Sequence, residues 1–220
     1  MFINSNRRFE LTIDKKIFSS LNKDKKISYL FRSSNVGKCA ALFDDYYHSV
    51  NGNIIPQDWF THYSREIGVD VIIKVSKELE KITNLSYDNC FKYAKFRILG
   101  QTWNGMLNEI DLISELKQEF TNIEFRKAPY NLDENYFTDW EAYTNGKLFL
   151  GLQIKPITYQ YMNTPYQNQA KLNHEAQRQK YKDEFKVAHF MLYYENNKLH
   201  DKQKVIDKIN TLLINLIEVR

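Results

Sequence analysis

The chain has little glycine, little proline and almost no cysteine: 7, 4 and 2 of its 220 residues. With hydrophobic residues at 43%, that scarcity excludes a low-complexity or wholly disordered chain. Cys39 and Cys90 stand far apart and outside any CxxC or CxxH spacing, which excludes a zinc site or a disulfide framework. Both read as buried apolar residues. No apolar run approaches the roughly 20 residues of a membrane span, and the opening MFINSNRRFE lacks the apolar stretch of a signal peptide. The expectation is a cytoplasmic protein with no membrane partner, long enough to bury a sizeable core.

Charge is nearly balanced, at +4 overall, but unevenly spread. Between Arg7 and Lys38 nine lysines and arginines face three acids, Glu10, Asp14 and Asp24. Such a patch attracts a polyanion by counterion release, although a solvated basic surface is its commoner meaning.

Apolar periodicity divides the chain. One strand is expected over residues 9–13. Helices then follow over 38–49, stopped by Asn51-Gly52-Asn53, from Pro56 to Gly68, and over 69–82. Ser86 is the expected N-cap of a helix over 87–99 that Gly100 closes. Trp103, Met106, Leu107, Ile110, Ile113, Leu116 and Phe120, spaced by threes and fours, form the stripe of the next helix. After Asn122 the period drops to two. Strands are expected over 123–127, on both sides of Asn145-Gly146, and over 187–194, with helices over 167–184 and 201–218. The fold class expected is α/β (α+β), a central mixed sheet flanked by helices. A mainly helical region over 1–100 would supply dimer or DNA contacts and 101–220 the core, together forming one compact unit.

Asn145-Gly146 marks a hairpin but permits two registers. A two-residue turn pairs Thr144 with Lys147 and sets Asp139 opposite Leu152, among Leu148, Leu150 and Ile154, where a carboxylate is costly. A three-residue loop pairs Tyr143 with Lys147, aligns Thr138, Trp140 and Ala142 with Leu152, Leu150 and Leu148, and leaves space beside Asp139 at Gly151. Because a one-residue slip flips every side chain, burial favours this second register.

Asp139, Glu141, Gln153 and Lys155 then share the other face. A carboxylate beside a side-chain carbonyl suits Mg²⁺, which keeps several waters and takes one or two carboxylates. A lysine beside the ion orients water and stabilises charge at a phosphate under attack. Phosphodiester hydrolysis is the chemistry these residue types fit.

Asp139, thirteen intervening residues and Gln153-Ile154-Lys155, between a helix and a helix-strand pair, resemble the PD-(D/E)XK nuclease superfamily in its QxK variant. Gln177-Arg178-Gln179-Lys180-Tyr181 resembles the QxxxY element of some members, and GLQIKP resembles type II restriction endonucleases of the MjaI-like group. The resemblance covers roughly residues 103–194. It implies catalysis by Asp139, Gln153 and Lys155, Mg²⁺ on Asp139 and Gln153, and DNA contacts by Gln177, Arg178, Lys180 and Tyr181. Thr138 departs from the proline that usually precedes the acid, and Gln153 replaces the usual second acid. Glu109, from the helix that supplies an acid in some members, or Glu141 could restore the missing charge. The resemblance further implies a homodimer on double-stranded DNA, since a palindromic target has two-fold symmetry.

Bland readings stand beside these. Lys155 alone would be a snorkelling strand-end residue, Glu109 a solvated helix face, and Gln177 and Tyr181 packing residues one turn apart. His174 reads as a surface histidine, and Tyr46, Tyr47, Trp59, Phe60 and Tyr63 as core and interface rather than a base-stacking platform. The competing functions are a DNA repair or junction nuclease of the same core and a non-catalytic nucleic-acid-binding protein.

Overall fold

A computed structural model describes residues 8–218 of the chain. It divides into two compact units, Met1–Leu107 and Asn108–Arg220.

The first unit is helical, built from α1 (Lys15–Lys23), α2 (Ser33–Val36), α3 (Cys39–Ser49), α4 (Pro56–Glu66), α5 (Asp70–Ile82) and α6 (Tyr87–Lys95). Local chemistry sets the boundaries. Asp14 accepts from the backbone N–H of Lys16 and Ile17 at 2.9 and 3.2 Å, Pro56 opens α4, and Ser86 caps α6, each satisfying or dispensing with donors that a helix start leaves free. The aromatic residues are core: Trp59, Tyr63 and Phe43 are fully buried, with Phe43 edge-on to Trp59 at 5.3 Å and to Trp103 at 5.7 Å. No strand forms at residues 9–13. Asn104 takes up the backbone of Phe9 instead, accepting from its N–H at 3.0 Å and donating to its carbonyl at 3.1 Å. Gly100 does not end the helical run either, because a π turn, Phe96–Gly100, leads directly into α7 (Gln101–Glu119). Of the basic patch, Arg7 lies outside the described residues, while Lys15, Lys16, Lys23, Lys25, Lys26 and Arg32 are exposed.

The second unit carries the sheet. Its elements are β1 (Glu124–Lys127), α8 (Tyr130–Tyr136), β2 (Trp140–Thr144), β3 (Lys147–Pro156), a 3₁₀ turn (Ile157–Tyr161), α9 (Pro165–Phe185), β4 (Ala188–Glu195), β5 (Lys198–Leu199) and α10 (Lys202–Glu218). The strands lie in the order β1-β2-β3-β4-β5. All neighbours are antiparallel except β3 and β4, whose parallel pairing requires the long crossover that α9 supplies. Phe149 to Ile154 are buried without interruption, which explains an apolar run instead of an alternation. Among the described residues no helix is long and apolar enough to cross a membrane.

The hairpin corrects the expected register. Thr144 does pair with Lys147 across a two-residue Asn145-Gly146 turn, with φ of 50° and 73°, the left-handed pair such a turn demands. A bulge between Ala142 and Tyr143 then moves the pairing, so that Ala142 meets Leu150 and Trp140 meets Leu152. The bulge achieves what the longer loop was expected to do. Trp140, Ala142, Leu150 and Leu152 share the apolar face, and Glu141 pairs with Gly151, leaving Asp139 one step further along, level with Gln153. Leu148 pairs with Tyr143 rather than Ala142, and Phe149 is buried in its stead.

Candidate active site

Asp139 is fixed by its backbone before its side chain does anything. Its N–H donates to the Leu152 carbonyl at 2.8 Å, and its own carbonyl accepts from Ala128 N at 2.9 Å. The chain enters through Phe137, left-handed at φ 54°, and Thr138, fully buried, whose hydroxyl donates to the Tyr136 carbonyl at 3.2 Å. The proline of the resembling pattern is replaced by a hydroxyl that anchors the turn. Carboxylate oxygen Oδ2 of Asp139 accepts from Ile154 N at 2.8 Å and Gln153 Nε2 at 2.6 Å.

Gln153 is fully buried, and its Oε1 has no hydrogen-bond partner. An unmatched acceptor in that position costs about 1–3 kcal/mol. Beyond it on β3, the Lys155 ammonium sits 4.8 Å from the centroid of the Phe137 ring.

Two further residues, not anticipated from the sequence, complete the cluster. Lys127, at the end of β1, lies 3.3 Å from Glu109 Oε2 and donates to the Asp139 carbonyl at 3.3 Å. Asp133, on α8, is near enough to Asp139 for the two carboxyl groups to act on one another's charge. Burial first, then the Asp139 charge, pushes Glu109 up to about 7, against the pull of Lys127 and Lys155. The same two causes raise Asp133 to about 6. Burial works against the Lys155 charge, yet Asp139, Glu109 and Asp133 outweigh it and hold the ammonium above its ordinary value. Glu109 is therefore no solvated helix residue, since its side chain is 15% exposed.

Glu141 goes elsewhere. One oxygen accepts from Tyr181 at 2.8 Å and the other from Tyr143 at 2.8 Å, so two phenols occupy the carboxylate considered as an alternative ligand. Gly151 leaves no open space: a Cβ there would come within 2.6 Å of the Tyr181 ring. Tyr181, expected against DNA, is instead fully buried. Gln177 donates to the Glu134 carbonyl at 2.7 Å, and exposed Lys180 lies 4.5 Å over the Tyr136 ring. Arg178 donates through Nε to His189 Nδ1 at 3.1 Å and through Nη1 to Glu175 at 2.6 Å. Since a guanidinium only donates, His189 Nδ1 is the acceptor and Nε2–H donates to the Phe137 carbonyl at 3.0 Å. Burial and then Arg178 lower His189 to about 4. This helix thus braces the turn that carries Asp139. His174 belongs to the brace too, stacked on Phe137 at 3.8 Å and paired with Tyr159 at 2.8 Å.

The donor set is oxygen-rich: carboxylates at Asp139, Asp133 and Glu109, and the unmatched Gln153 amide, with two lysines between them. Among the described residues no three His, Cys, Asp or Glu side chains form a cage on their own, which a hard cation that keeps its waters does not need. Three carboxylates against two ammoniums leave the cluster one negative charge when all are ionised. The residues fit Mg²⁺ by chemistry and by the orphaned oxygen.

No curated protein and no solved structure matches the chain. The family model described as MjaI restriction endonuclease does, over residues 19–211. That span runs from α1 into α10 and takes in every residue of the cluster, so the chain belongs to the MjaI restriction endonuclease family.

Proposed function

We propose that this endonuclease is a type II restriction enzyme, hydrolysing phosphodiester bonds of double-stranded DNA at a short specific sequence, with Mg²⁺ held at the Asp139 cluster. The observation that carries the reading is the unpartnered, fully buried Gln153 Oε1 beside Asp139 and within one strand step of Lys155. A buried acceptor without a donor is what a cation would satisfy. We read the arrangement as a PD-(D/E)XK site in its QxK form.

Asp139 and Gln153 would supply the oxygens for the ion, with at most one of Glu109 and Asp133 as a second carboxylate. An ion held by these residues would supply Lewis acidity toward a phosphate oxygen and a bound water. Lys155, held charged by three carboxylates, offers N–H donors to a phosphate oxygen as negative charge grows on it. Lys127 ties Glu109 to the Asp139 backbone and keeps the carboxylates from separating. Asp133 and Glu109, which hold protons more tightly than ordinary acids, would give them up to make room for a cation's charge. A palindromic target cut in both strands needs one such site per strand, which supports a homodimer on DNA.

Digestion of unmethylated plasmid DNA with Mg²⁺, followed by sequencing of the ends, tests the reading. Discrete fragments with one shared end sequence are expected. A smear would oppose sequence-specific restriction, and cleavage undiminished by a chelator would oppose the metal. Sedimentation of the DNA complex tests the dimer, and a single protomer cutting both strands would contradict it.

A further inference from the structure

The 3₁₀ turn Ile157–Tyr161 and the first half of α9 lie next to this cluster and take no part in it. Residues 157–174 hold one lysine, Lys171, and no aspartate or glutamate. Among the described residues, the three most exposed large apolar side chains all fall here: Tyr166 at 85%, Tyr161 at 73% and Leu172 at 65%. Exposed amides surround them, at Gln160, Asn163, Asn168, Gln169 and Asn173. Of all α9 only Tyr181 is buried, so the first half of the helix owes little to a core.

Its exposure is not fraying. Thr164 and Gln167 form a reciprocal capping box, with Pro165 in the first turn, which fixes the helix start. The helix is ordered ahead of any partner.

The side chains on this face have the chemistry of base reading. Gln169 Nε2 donates to Asn173 Oδ1 at 3.1 Å, which leaves Gln169 Oε1 as an acceptor and Asn173 Nδ2 as a donor, one helical turn apart on an exposed face. Adenine presents the complement in the major groove, N6 as donor and N7 as acceptor. Guanine reading calls for an arginine or lysine fork, and the basic groups nearest are engaged. Arg178 holds His189 and Glu175, and Lys171 donates to the carbonyls of Gln160 and Met162 at 2.9 and 2.6 Å. The first acid beyond these residues, Glu175, is neutralised by Arg178 at 2.6 Å, which lessens the repulsion that a phosphate backbone would meet.

Position agrees with chemistry. Tyr159, within the 3₁₀ turn, bonds His174 at 2.8 Å. His174 stacks on Phe137, and Phe137 carries the Lys155 ammonium on its ring. These contacts link the 3₁₀ turn and the middle of α9 to the Lys155 ammonium. We infer that the 3₁₀ turn and the first half of α9 form the base-reading element of the endonuclease, with Gln169 and Asn173 reading adenine. The inference rests on the assignment of cleavage to the Asp139 and Lys155 cluster.

The test uses the full chain carrying Gln169→Ala with Asn173→Ala, and separately Tyr166→Ala. Each variant digests, with Mg²⁺, a pool of duplexes randomised across the target, and the ends are sequenced. Melting should be unchanged, since all three residues are exposed. Cleavage of the wild-type target should fall roughly 10- to 100-fold in the double variant, with adenine positions of the motif becoming degenerate. An unchanged motif cut at an unchanged rate overturns the inference. So does an unchanged motif with an altered sedimentation coefficient, which would make the surface a contact between two copies of the chain. Failure of the underlying assignment reads differently, as Lys155→Ala protein that cuts the wild-type motif at full rate.

Discussion

Replacing Gly151 by alanine adds one methyl group where the structure has no room for it. Its Cβ would lie 2.6 and 2.9 Å from Cε1 and Cζ of Tyr181 and 3.0 Å from Cδ2 of His189, all inside van der Waals contact. The residue's φ lies outside the left-handed region, so the cost comes from packing and not from backbone strain. Tyr181 is fully buried, in the kind of interior that packs closely. Overpacking of a dense core costs about 1–3 kcal/mol, and a ring displaced far enough to lose its hydrogen bond to the Glu141 carboxylate adds about 1.5–3 kcal/mol. Gly151→Ala should therefore destabilise the protein by about 2.5–6 kcal/mol, or roughly 5–24 °C at ~2–4 °C per kcal/mol for a chain of this size. Calorimetric melting reads the shift. Combining Gly151→Ala with Tyr181→Leu provides the control, because the smaller side chain makes room for the methyl and the two effects should fail to add by about 1–3 kcal/mol. A variant melting within a degree of wild type, or strictly additive costs, would show that the close approach does not govern this part of the sheet.

The site's acids and its buried histidine should impose opposite pH dependences. Glu109 and Asp133 titrate higher in the folded metal-free protein than in the unfolded chain, so their contribution is present below about pH 4 and is lost as pH rises through about 6 to 7. Relative to Glu109→Gln, wild-type protein should lose on the order of 3 kcal/mol between pH 4.5 and 7.5 in chelator, read by denaturant melts at each pH; parallel curves would remove the raised Glu109. His189 titrates lower when folded, so its contribution is present above about pH 6.5 and is lost as pH falls towards 4. Arg178→Ala should cost about 1–3 kcal/mol and move the His189 titration, followed by NMR, back towards 6.5; an unmoved titration would assign the shift to burial alone.

Much of this arrangement was legible in residues whose burial leaves no choice. The segregation of Trp140, Ala142, Leu150 and Leu152 from Asp139 and Gln153 follows from alternation, and it held although the turn is shorter than expected. A bulge restored the faces, and no local residue announces it, since Leu148-Phe149 reads as ordinary strand. Asp133 escaped notice because α8 is a short helix with no side-chain cap and a weak apolar pattern. Lys127 looked like the polar end of a strand until the pairing of β1 with β2 brought it to the Asp139 carbonyl. Tyr181 misled in the opposite sense. An amide and a tyrosine one turn apart look like surface contacts, whereas the glycine opposite makes a pocket for the ring.

Single-turnover cleavage of a target duplex by Asp139→Asn and Lys155→Ala protein tests the central claim most directly, with melting and DNA affinity measured on the same samples. Asparagine keeps an oxygen for the N–H groups of Ile154 and Gln153 that Asp139 now accepts, so the fold should survive while the charge is lost. The account predicts cleavage slower by about 10² or more in each variant, with melting and DNA binding close to wild type. Cleavage by Asp139→Asn protein at the wild-type rate would contradict it.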